Sequence, residues 1–246
     1  MIEPPGKGIL SSGGGGRLGQ ELQALLPGIV APRRSDMDIL DADAIESAIV
    51  EVRPKMLLHA AAYTDVARAE HDRKTCWNVN VKGTQNMVQA AFRHQLPLVH
   101  ISTDYVFWGD VGNYREEDPP GPVRNYYSLS KLAAEASVQA LPRHLVIRTS
   151  FRPREWAYPK AFTDLYTSQD YVDVIAPDIA LVLQHFDAID ERILHIAGRR
   201  TSVYELARRR APEVQAARKE EAAVPLPNDI SLNCERWHAL RKTLVD

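Results

Sequence analysis

The sequence predicts an α/β protein built on a doubly wound parallel sheet, with a smaller C-terminal part added to it. Three observations support this class. Short apolar runs alternate with helical patterns through the first 150 residues. These runs lack the apolar–polar alternation that is typical of a sheet with one solvent-exposed face, so we expect strands that are buried on both faces. A glycine-rich turn directly follows the first apolar run, as in sheets whose strand ends bind ligands.

Six strands are predicted, five of them within the first 150 residues. Each is a short apolar run bounded by turn residues or proline. In chain order they are Gly8–Ser12, Gly28–Ala31, Lys55–Ala60, Pro97–Ser102, His144–Thr149 and Arg192–Ile196.

Helices are predicted between these strands and beyond them, where apolar residues recur at helical spacing. They are Leu18–Leu26, Asp41–Val52, Lys74–His94, Tyr127–Leu141, Asp178–Phe186 and Ser202–Arg210. The regular alternation of predicted strands and helices ends after Thr149, and Pro153 and Pro159 interrupt the following segment. We therefore predict a first domain over residues 1–150. Residues 151–246 form a shortened second region, some segments of which return to the first domain.

The composition is ordinary for a globular protein, with 45% hydrophobic and 25% charged residues. A net charge of −2 gives no reason to expect nucleic acid or an acidic membrane as a partner. Cys76 and Cys234 lie far apart without metal-ligand spacing, so no zinc site, other metal site or disulfide framework is predicted. The N-terminus has no apolar signal core, and we expect a cytoplasmic location.

The glycine run Gly13–Gly19 contains the spacing G-x-x-G-x-x-G between a predicted strand and a predicted helix. Glycine permits a tight turn there, and the helix N-terminus favours the negative charge of a pyrophosphate. A flexible loop is the alternative. The pattern favours a dinucleotide site, whose contacts we predict at Gly13, Gly16, Arg17, Leu18 and Gly19.

The end of the second predicted strand carries Arg33 and Arg34 where NAD-specific folds usually have an acidic residue. Arginine in this place accommodates the 2′-phosphate of NADP. The sequence therefore favours NADP(H), with NAD(H) possible. Asp38 and Ile39 follow closely, and we predict that they line the adenine end of the site.

Tyr127 and Lys131 stand four residues apart in a predicted helix and so share one of its faces. A nearby ammonium lowers the pKa of a phenol, which would suit Tyr127 for acid–base chemistry near neutral pH. A surface helix with an amphipathic tyrosine is the alternative.

The segment Thr103–Val106 directly follows the fourth predicted strand. Ligands of open α/β sheets lie outside the carboxyl ends of the strands, so these residues should face the cleft. We predict that Thr103 holds a substrate carbonyl against Tyr127, and that Asp104, Tyr105 and Val106 also contact the substrate. A turn-forming role for Thr103 is the alternative.

Taken together, these segments resemble the extended short-chain dehydrogenases/reductases, and within them the dTDP-4-dehydrorhamnose reductases. The resemblance is carried by GGGGRLG (13–19), HAAAYTDV (59–66), VNVKGTQN (79–86), ISTDYVF (101–107), YREEDPPGP (114–122), NYYSLSK (125–131) and VIRTS (146–150). It implies a Rossmann-type fold and a catalytic triad of Thr103, Tyr127 and Lys131. It also implies cofactor contacts, which we predict at Ala60, Ala61, Ala62, Tyr63, Asn80, Tyr127 and Lys131.

The resemblance implies reduction of a 4-keto-6-deoxy sugar nucleotide with hydride from NAD(P)H, and a homodimer is the default of the superfamily. It weakens after Ser150, where Phe151–Trp156 replaces the usual Trp-Val-Tyr-Gly type stretch, and the segment that closes over the sugar is shortened to about Thr167–Ala176. Two alternatives stay open at this point. One is an epimerase or dehydratase of the same superfamily, and the other is a non-catalytic subunit resembling the regulatory subunit of methionine adenosyltransferase.

Overall fold

Five parallel strands form the central sheet, which we describe from a computed structural model over residues 3–222 and 226–245. The order across the sheet is β1-β2-β3-β4-β5, and all neighbours run parallel. The strands are β1 (Ile9–Ser12), β2 (Met56–His59), β3 (Leu98–Thr103), β4 (His144–Thr149) and β5 (Ile193–His195). Their residues are almost all buried, as predicted for strands covered on both faces.

Helices cover both faces of this sheet. They are α1 (Arg17–Leu25), α2 (Ala42–Val52), α3 (Val66–Ala69), α4 (Arg73–Trp77), α5 (Gly83–Arg93), α6 (Tyr126–Val138), α7 (Val172–Gln184), α8 (Val203–Arg208) and α9 (Glu235–Val245). One apolar core joins α1, α7 and α9 to one face, and a second joins α2, α5 and α6 to the other. The α/β fold class predicted from the sequence is confirmed.

The predicted strand Gly28–Ala31 is wrong in extent. Only Val30 pairs with the sheet, through a single parallel bridge to Leu10 of β1. Its carbonyl accepts a hydrogen bond from Ser11 N at 2.8 Å, and its own N–H donates to Ile9 O at 2.9 Å. Prolines at positions 27 and 32 flank the segment and cannot donate to a ladder, which limits the pairing to one residue.

Val30 nevertheless fixes the topology. Val30 pairs with one edge of β1, and β2 pairs with the other edge. The chain therefore adds to the sheet first on one side of β1 and then on the opposite side, so the direction of winding reverses at β1. Open α/β sheets bind ligands at the carboxyl end of the strands where this reversal occurs. In this chain that end carries the glycine run.

Two predicted helices differ from the observed ones. The predicted helix Lys74–His94 is split, because a π-helical turn at Asn78–Lys82 separates α4 from α5. Such wide turns often mark functional positions. Helix α7 begins at Val172 instead of Asp178 and contains Pro177. Val172 and Ile175, which precede Pro177, are buried in the core and stabilise an additional turn at the start of the helix. The helix includes Pro177 although proline has no N–H to donate to the carbonyl four residues before it.

Three short strand pairs lie in the C-terminal part: Phe151–Arg152 with Asp170–Tyr171, Lys160–Phe162 with Gln215–Ala217, and Tyr166–Thr167 with Thr201–Ser202. Strand β5 and helices α7 and α9 also come from this part of the chain, and they pack into the main sheet and its core. Helix α8 begins at a capping box in which Ser202 and Glu205 bond each other's backbone N–H. Within the described residues, no helix combines the length and the apolar character needed to cross a membrane.

Candidate active site

A cleft of about 820 Å³ opens at the carboxyl ends of β1 to β4. It is lined by the glycine run, by the segment that follows β2, and by residues at the ends of β3 and β4. The predicted site residues found in its lining are Gly13, Gly16, Arg17, Leu18, Gly19, Arg33, Arg34, Asp38, Ile39, Ala60, Ala61, Ala62, Thr103, Tyr105, Tyr127 and Lys131. Residues far apart in the sequence therefore meet in one cavity.

Two residues of the glycine turn at one end of the cleft, Gly13 and Gly14, have no room for a side chain. Gly13 has a φ of +84°, and a Cβ there would lie 2.6 Å from the backbone nitrogen of Ala61. A Cβ on Gly14 would lie 2.6 Å from the Cβ of Ala31. Gln23 supports the turn by donating hydrogen bonds to the carbonyls of Gly14 at 2.8 Å and Gly19 at 3.0 Å.

Helix α1 starts directly from this turn, and its N-cap residue is Gly16. Glycine has no side chain with which to cap the first N–H groups, so they stay available to an anionic ligand. A narrow backbone cradle with free N–H groups fits the pyrophosphate of a dinucleotide.

The adenosine end of the cleft is bordered by Arg33, Arg34 and Asp38. Both arginines are exposed, and Arg34 Nε lies 3.2 Å from Asp38 Oδ2. The other carboxylate oxygen of Asp38 accepts a hydrogen bond from Leu40 N at 2.9 Å, which holds it in place. Two guanidinium groups with wide access to solvent fit a ribose that carries an extra phosphate.

Thr103 and Tyr127 face the opposite end of the cleft. Thr103 ends β3, and Tyr127 lies in the first turn of α6, which begins where the Asn125 side chain accepts a hydrogen bond from Ser128 N at 2.8 Å. Burial raises the pKa of Tyr127 above its ordinary value, although a hydrogen bond with Thr103 acts in the opposite direction. The expected lowering of this pKa by Lys131 is therefore not found.

The contacts of Lys131 explain the difference. Its Nζ donates to the carbonyl of Ile101 at 2.8 Å and lies 3.2 Å from Nε2 of His100. The ammonium is thus turned toward β3. Burial lowers the pKa of Lys131 to about 8, while the negative charge of Glu135 on the next turn of α6 raises it.

Four predicted contact residues lie outside the lining of the cleft. Asp104 and Val106 are fully buried beneath it, so their side chains face the protein interior. Asn80 is also buried, and its amide bonds the backbone of Tyr63 on both sides, with Oδ1 accepting from Tyr63 N at 2.7 Å and Nδ2 donating to Tyr63 O at 3.1 Å. Asn80 therefore shapes the segment that follows β2 and leaves the lining to Ala60–Ala62.

Sequence reasoning missed a layer of polar side chains beneath the cleft. His59 is fully buried and makes hydrogen bonds with Ser12 Oγ at 2.7 Å and Thr84 Oγ1 at 2.9 Å. Its ring lies 5.1 Å from that of His100. Two histidines at corresponding positions of neighbouring apolar strands were the only signal, and the pattern does not reveal which groups they meet.

Comparison with known proteins gives a consistent picture. The family model described as RmlD substrate binding domain matches residues 7–232. A dTDP-4-dehydrorhamnose reductase of Aggregatibacter actinomycetemcomitans is 35% identical over 180 residues, which are 70% of this chain and 61% of that protein. The protein of the same name from Streptomyces griseus is 38% identical over 149 residues, which are 58% of this chain and 49% of its own length. The chain thus spans about half to three fifths of these curated relatives.

Solved structures match over nearly the whole chain. The hypothetical dTDP-4-dehydrorhamnose reductase from Sulfolobus tokodaii has a TM-score of 0.82 at 30% identity, covering 94% of both chains. The Bacillus anthracis dTDP-4-dehydrorhamnose reductase in complex with NADP has a TM-score of 0.83 at 25% identity, covering 94% of this chain and 92% of that one. The chain belongs to the RmlD substrate binding domain family.

Proposed function

We propose that this protein is an NADPH-dependent reductase that acts on the 4-keto group of a nucleotide-linked 6-deoxy sugar. The observation that carries the proposal is the convergence of Thr103, Tyr127 and Lys131 on one cleft with a side-chain-free glycine cradle. Relatives named dTDP-4-dehydrorhamnose reductase support the substrate class. A related structure that contains NADP supports the cofactor.

Each residue of the triad has a distinct role in this proposal. Bound NADPH would supply the hydride. Tyr127 donates its proton to the oxygen of the keto group, and its raised pKa keeps the phenol protonated at neutral pH. Thr103, which lines the same end of the cleft as Tyr127, holds the same oxygen. Lys131 directs its remaining N–H toward the cleft, where it binds the ribose next to the nicotinamide.

The dinucleotide would lie along the predicted contact residues. Its pyrophosphate would bind the backbone of Gly13–Gly19, and its adenosine would lie against Asp38 and Ile39. Arg33 and Arg34 would bind the 2′-phosphate, so the double variant R33Q/R34Q should lose about 10-fold or more of its preference for NADPH over NADH. Unchanged cofactor preference in steady-state kinetics would contradict this assignment.

The direct test follows NADPH absorbance while the protein is mixed with a dTDP-4-keto-6-deoxy sugar. Wild-type protein should consume one NADPH per keto sugar, whereas an epimerase would convert the sugar without net NADPH loss. Tyr127→Phe should lower kcat by about 100-fold or more, because the proton donor is lost.

Tyr126→Phe is the matched control, since the Tyr126 ring packs near Trp77 and Arg73 and does not line the cleft. It should retain nearly full activity. A Tyr127→Phe variant as active as Tyr126→Phe would refute the proposed donor. Light scattering of the same preparations tests the homodimer that we propose from the superfamily.

A further inference from the structure

Arg152 has no ion-pair partner in the part of the chain that the structure describes. It follows Phe151 in a short strand beside Tyr171, and its side chain is half-buried with Nε closed off from solvent. Across residues 3–222 and 226–245, its guanidinium has neither a hydrogen-bond acceptor nor a carboxylate partner. Other arginines of this region have such partners: Arg154 with Glu21, Arg209 with Asp170, and Arg210 with Asp173.

Aromatic rings hold this guanidinium in place. Its central carbon lies 4.6 Å from the ring centroid of Trp156 and 5.8 Å from that of Tyr158. Stacking of this kind fixes the plane of a guanidinium and leaves its N–H donors at the edge free for a ligand. The indole Nε1 of Trp156 is a second buried donor that meets no acceptor among the described residues. The corner formed by Arg152, Trp156 and Tyr158 therefore offers hydrogen-bond donors and holds no anionic group among the described residues.

The corner adjoins the substrate end of the cleft. Ser150 and Phe151, which precede Arg152 directly, line the cleft together with Tyr105. The positive charge of Arg152 lies close enough to lower the pKa of Tyr105, which burial raises to about 12. Asp104 is the nearby carboxyl group, but burial raises its pKa to about 7, so near neutral pH it is only partly ionised and is an incomplete counter-ion.

We propose that Arg152 binds a phosphate group of the substrate's nucleoside diphosphate. Phosphate offers several oxygens to the guanidinium fork and supplies the charge that this corner lacks. The assignment rests on the proposed function and extends it, because it places the diphosphate at the part of the cleft that Ser150 and Phe151 line.

Binding of dTDP to the NADPH-saturated protein tests the assignment by calorimetry. Arg152→Gln should weaken dTDP binding by about 10- to 100-fold, as expected for the loss of a charge-assisted hydrogen-bonded pair. Arg152→Lys keeps the charge and loses the fork, so its affinity should lie between the two. Arg154→Gln is the matched control: that arginine is exposed and paired with Glu21, so dTDP affinity should stay within about twofold of wild type. Unfolding curves identify any variant that fails to fold.

Kinetics and a second probe separate this assignment from the proposed function. With the keto sugar nucleotide, Arg152→Gln should raise KM while kcat stays within a few-fold of wild type. A wild-type KM and dTDP affinity in Arg152→Gln would overturn the phosphate contact and leave the reductase function standing. Inorganic pyrophosphate that binds the wild type but not Arg152→Gln would support the contact, even in a protein that reduces no keto sugar nucleotide.

Discussion

Lys131 Nζ, at the lining of the cleft, lies 3.2 Å from Nε2 of His100, and both side chains are buried. Burial and the neighbouring ammonium hold the pKa of His100 well below its ordinary value, so the ring is neutral and can accept a hydrogen bond from Lys131. The carbonyl of Ile101 accepts a second hydrogen bond from the ammonium at 2.8 Å. Two of the three ammonium protons are thus directed at β3, and the third is left for the cleft.

Removing His100 as a hydrogen-bond acceptor should change the pKa of Lys131 and therefore the pH dependence of the activity. Lys131 is charged below its pKa of about 8, so the activity of the wild type should fall as pH rises through that value. His100→Leu takes away a partner of the ammonium, which lowers the pKa further and moves the fall in activity to lower pH. We also expect kcat to drop by about 10- to 100-fold through misplacement of the amine.

His100→Gln is the conservative control, because its amide oxygen can accept the same hydrogen bond. It should restore most of the activity and return the alkaline limb of the kcat/KM profile toward wild type. Identical alkaline limbs in wild type and His100→Leu would show that His100 does not govern the protonation of Lys131.

The parts of the site that the sequence predicts are those fixed by local geometry. Gly13–Gly19 had to form a turn between a strand and a helix, and Tyr127 and Lys131 had to share a helix face. Thr103 follows a strand, so parallel topology brings it to the same edge of the sheet. Each of these inferences needs only neighbouring residues and the rule that ligands bind at strand ends.

The parts that the sequence does not predict depend on contacts across the fold. A strand buried on both faces gives no pattern that tells where the side chains of His59 and His100 point. Lys131 was expected to act on Tyr127, but Ile101 and His100 hold its ammonium against β3. Arg152 carries no recognisable motif, and its lack of a partner is visible only once the strand beside Tyr171 is in place.

Gly13 and Gly15 provide a paired test of the cradle. A Cβ at Gly13 meets backbone at 2.6 Å and must adopt a φ of +84°, whereas at Gly15 it meets nothing within 4 Å in the part of the chain that the structure describes. Gly13→Ala should therefore lower the free energy of unfolding by about 1–3 kcal/mol. Gly15→Ala should leave it nearly unchanged. Urea unfolding of the nucleotide-free proteins measures both, and equal losses would argue against a steric origin.

The buried ion pair of Glu135 and Arg148 should be sensitive to the loss of one partner. Arg148 Nη2 lies 3.0 Å from Glu135 Oε2, both side chains are almost fully buried, and Ser102 Oγ donates to the same carboxylate at 2.5 Å. Glu135→Leu leaves the guanidinium charge buried and unpaired, which should cost about 3–5 kcal/mol.

The double variant E135L/R148M removes both charges and should recover much of that loss, because packed apolar groups replace a desolvated pair. The losses of unfolding free energy in the single variants Glu135→Leu and Arg148→Met should exceed, when added, the loss in the double variant. A double variant whose loss equals their sum would contradict this coupling. Glu3→Gln, which breaks the exposed pair with Lys7, is the control and should change stability very little.

His59 should make the protein sensitive to acid. Burial lowers its pKa from 6.5 to about 3, with a further lowering by the charge of Lys131. Between these two values the unfolded chain binds a proton that the folded chain does not, so the free energy of unfolding falls as pH is lowered from 6.5 toward 3. One such proton contributes a slope of at most about 1.4 kcal/mol per pH unit.

His59→Gln removes that proton and should flatten the pH dependence of unfolding by up to this amount, while lowering stability at pH 7 because the bonds with Ser12 and Thr84 are disturbed. His238→Gln, an exposed position on α9, is the control and should leave the slope as in wild type. The measurement is urea unfolding at several pH values within the window. A slope in His59→Gln as steep as in wild type would assign the acid sensitivity to other groups, of which buried His100 and His195 are the next to test because burial lowers their pKa as well.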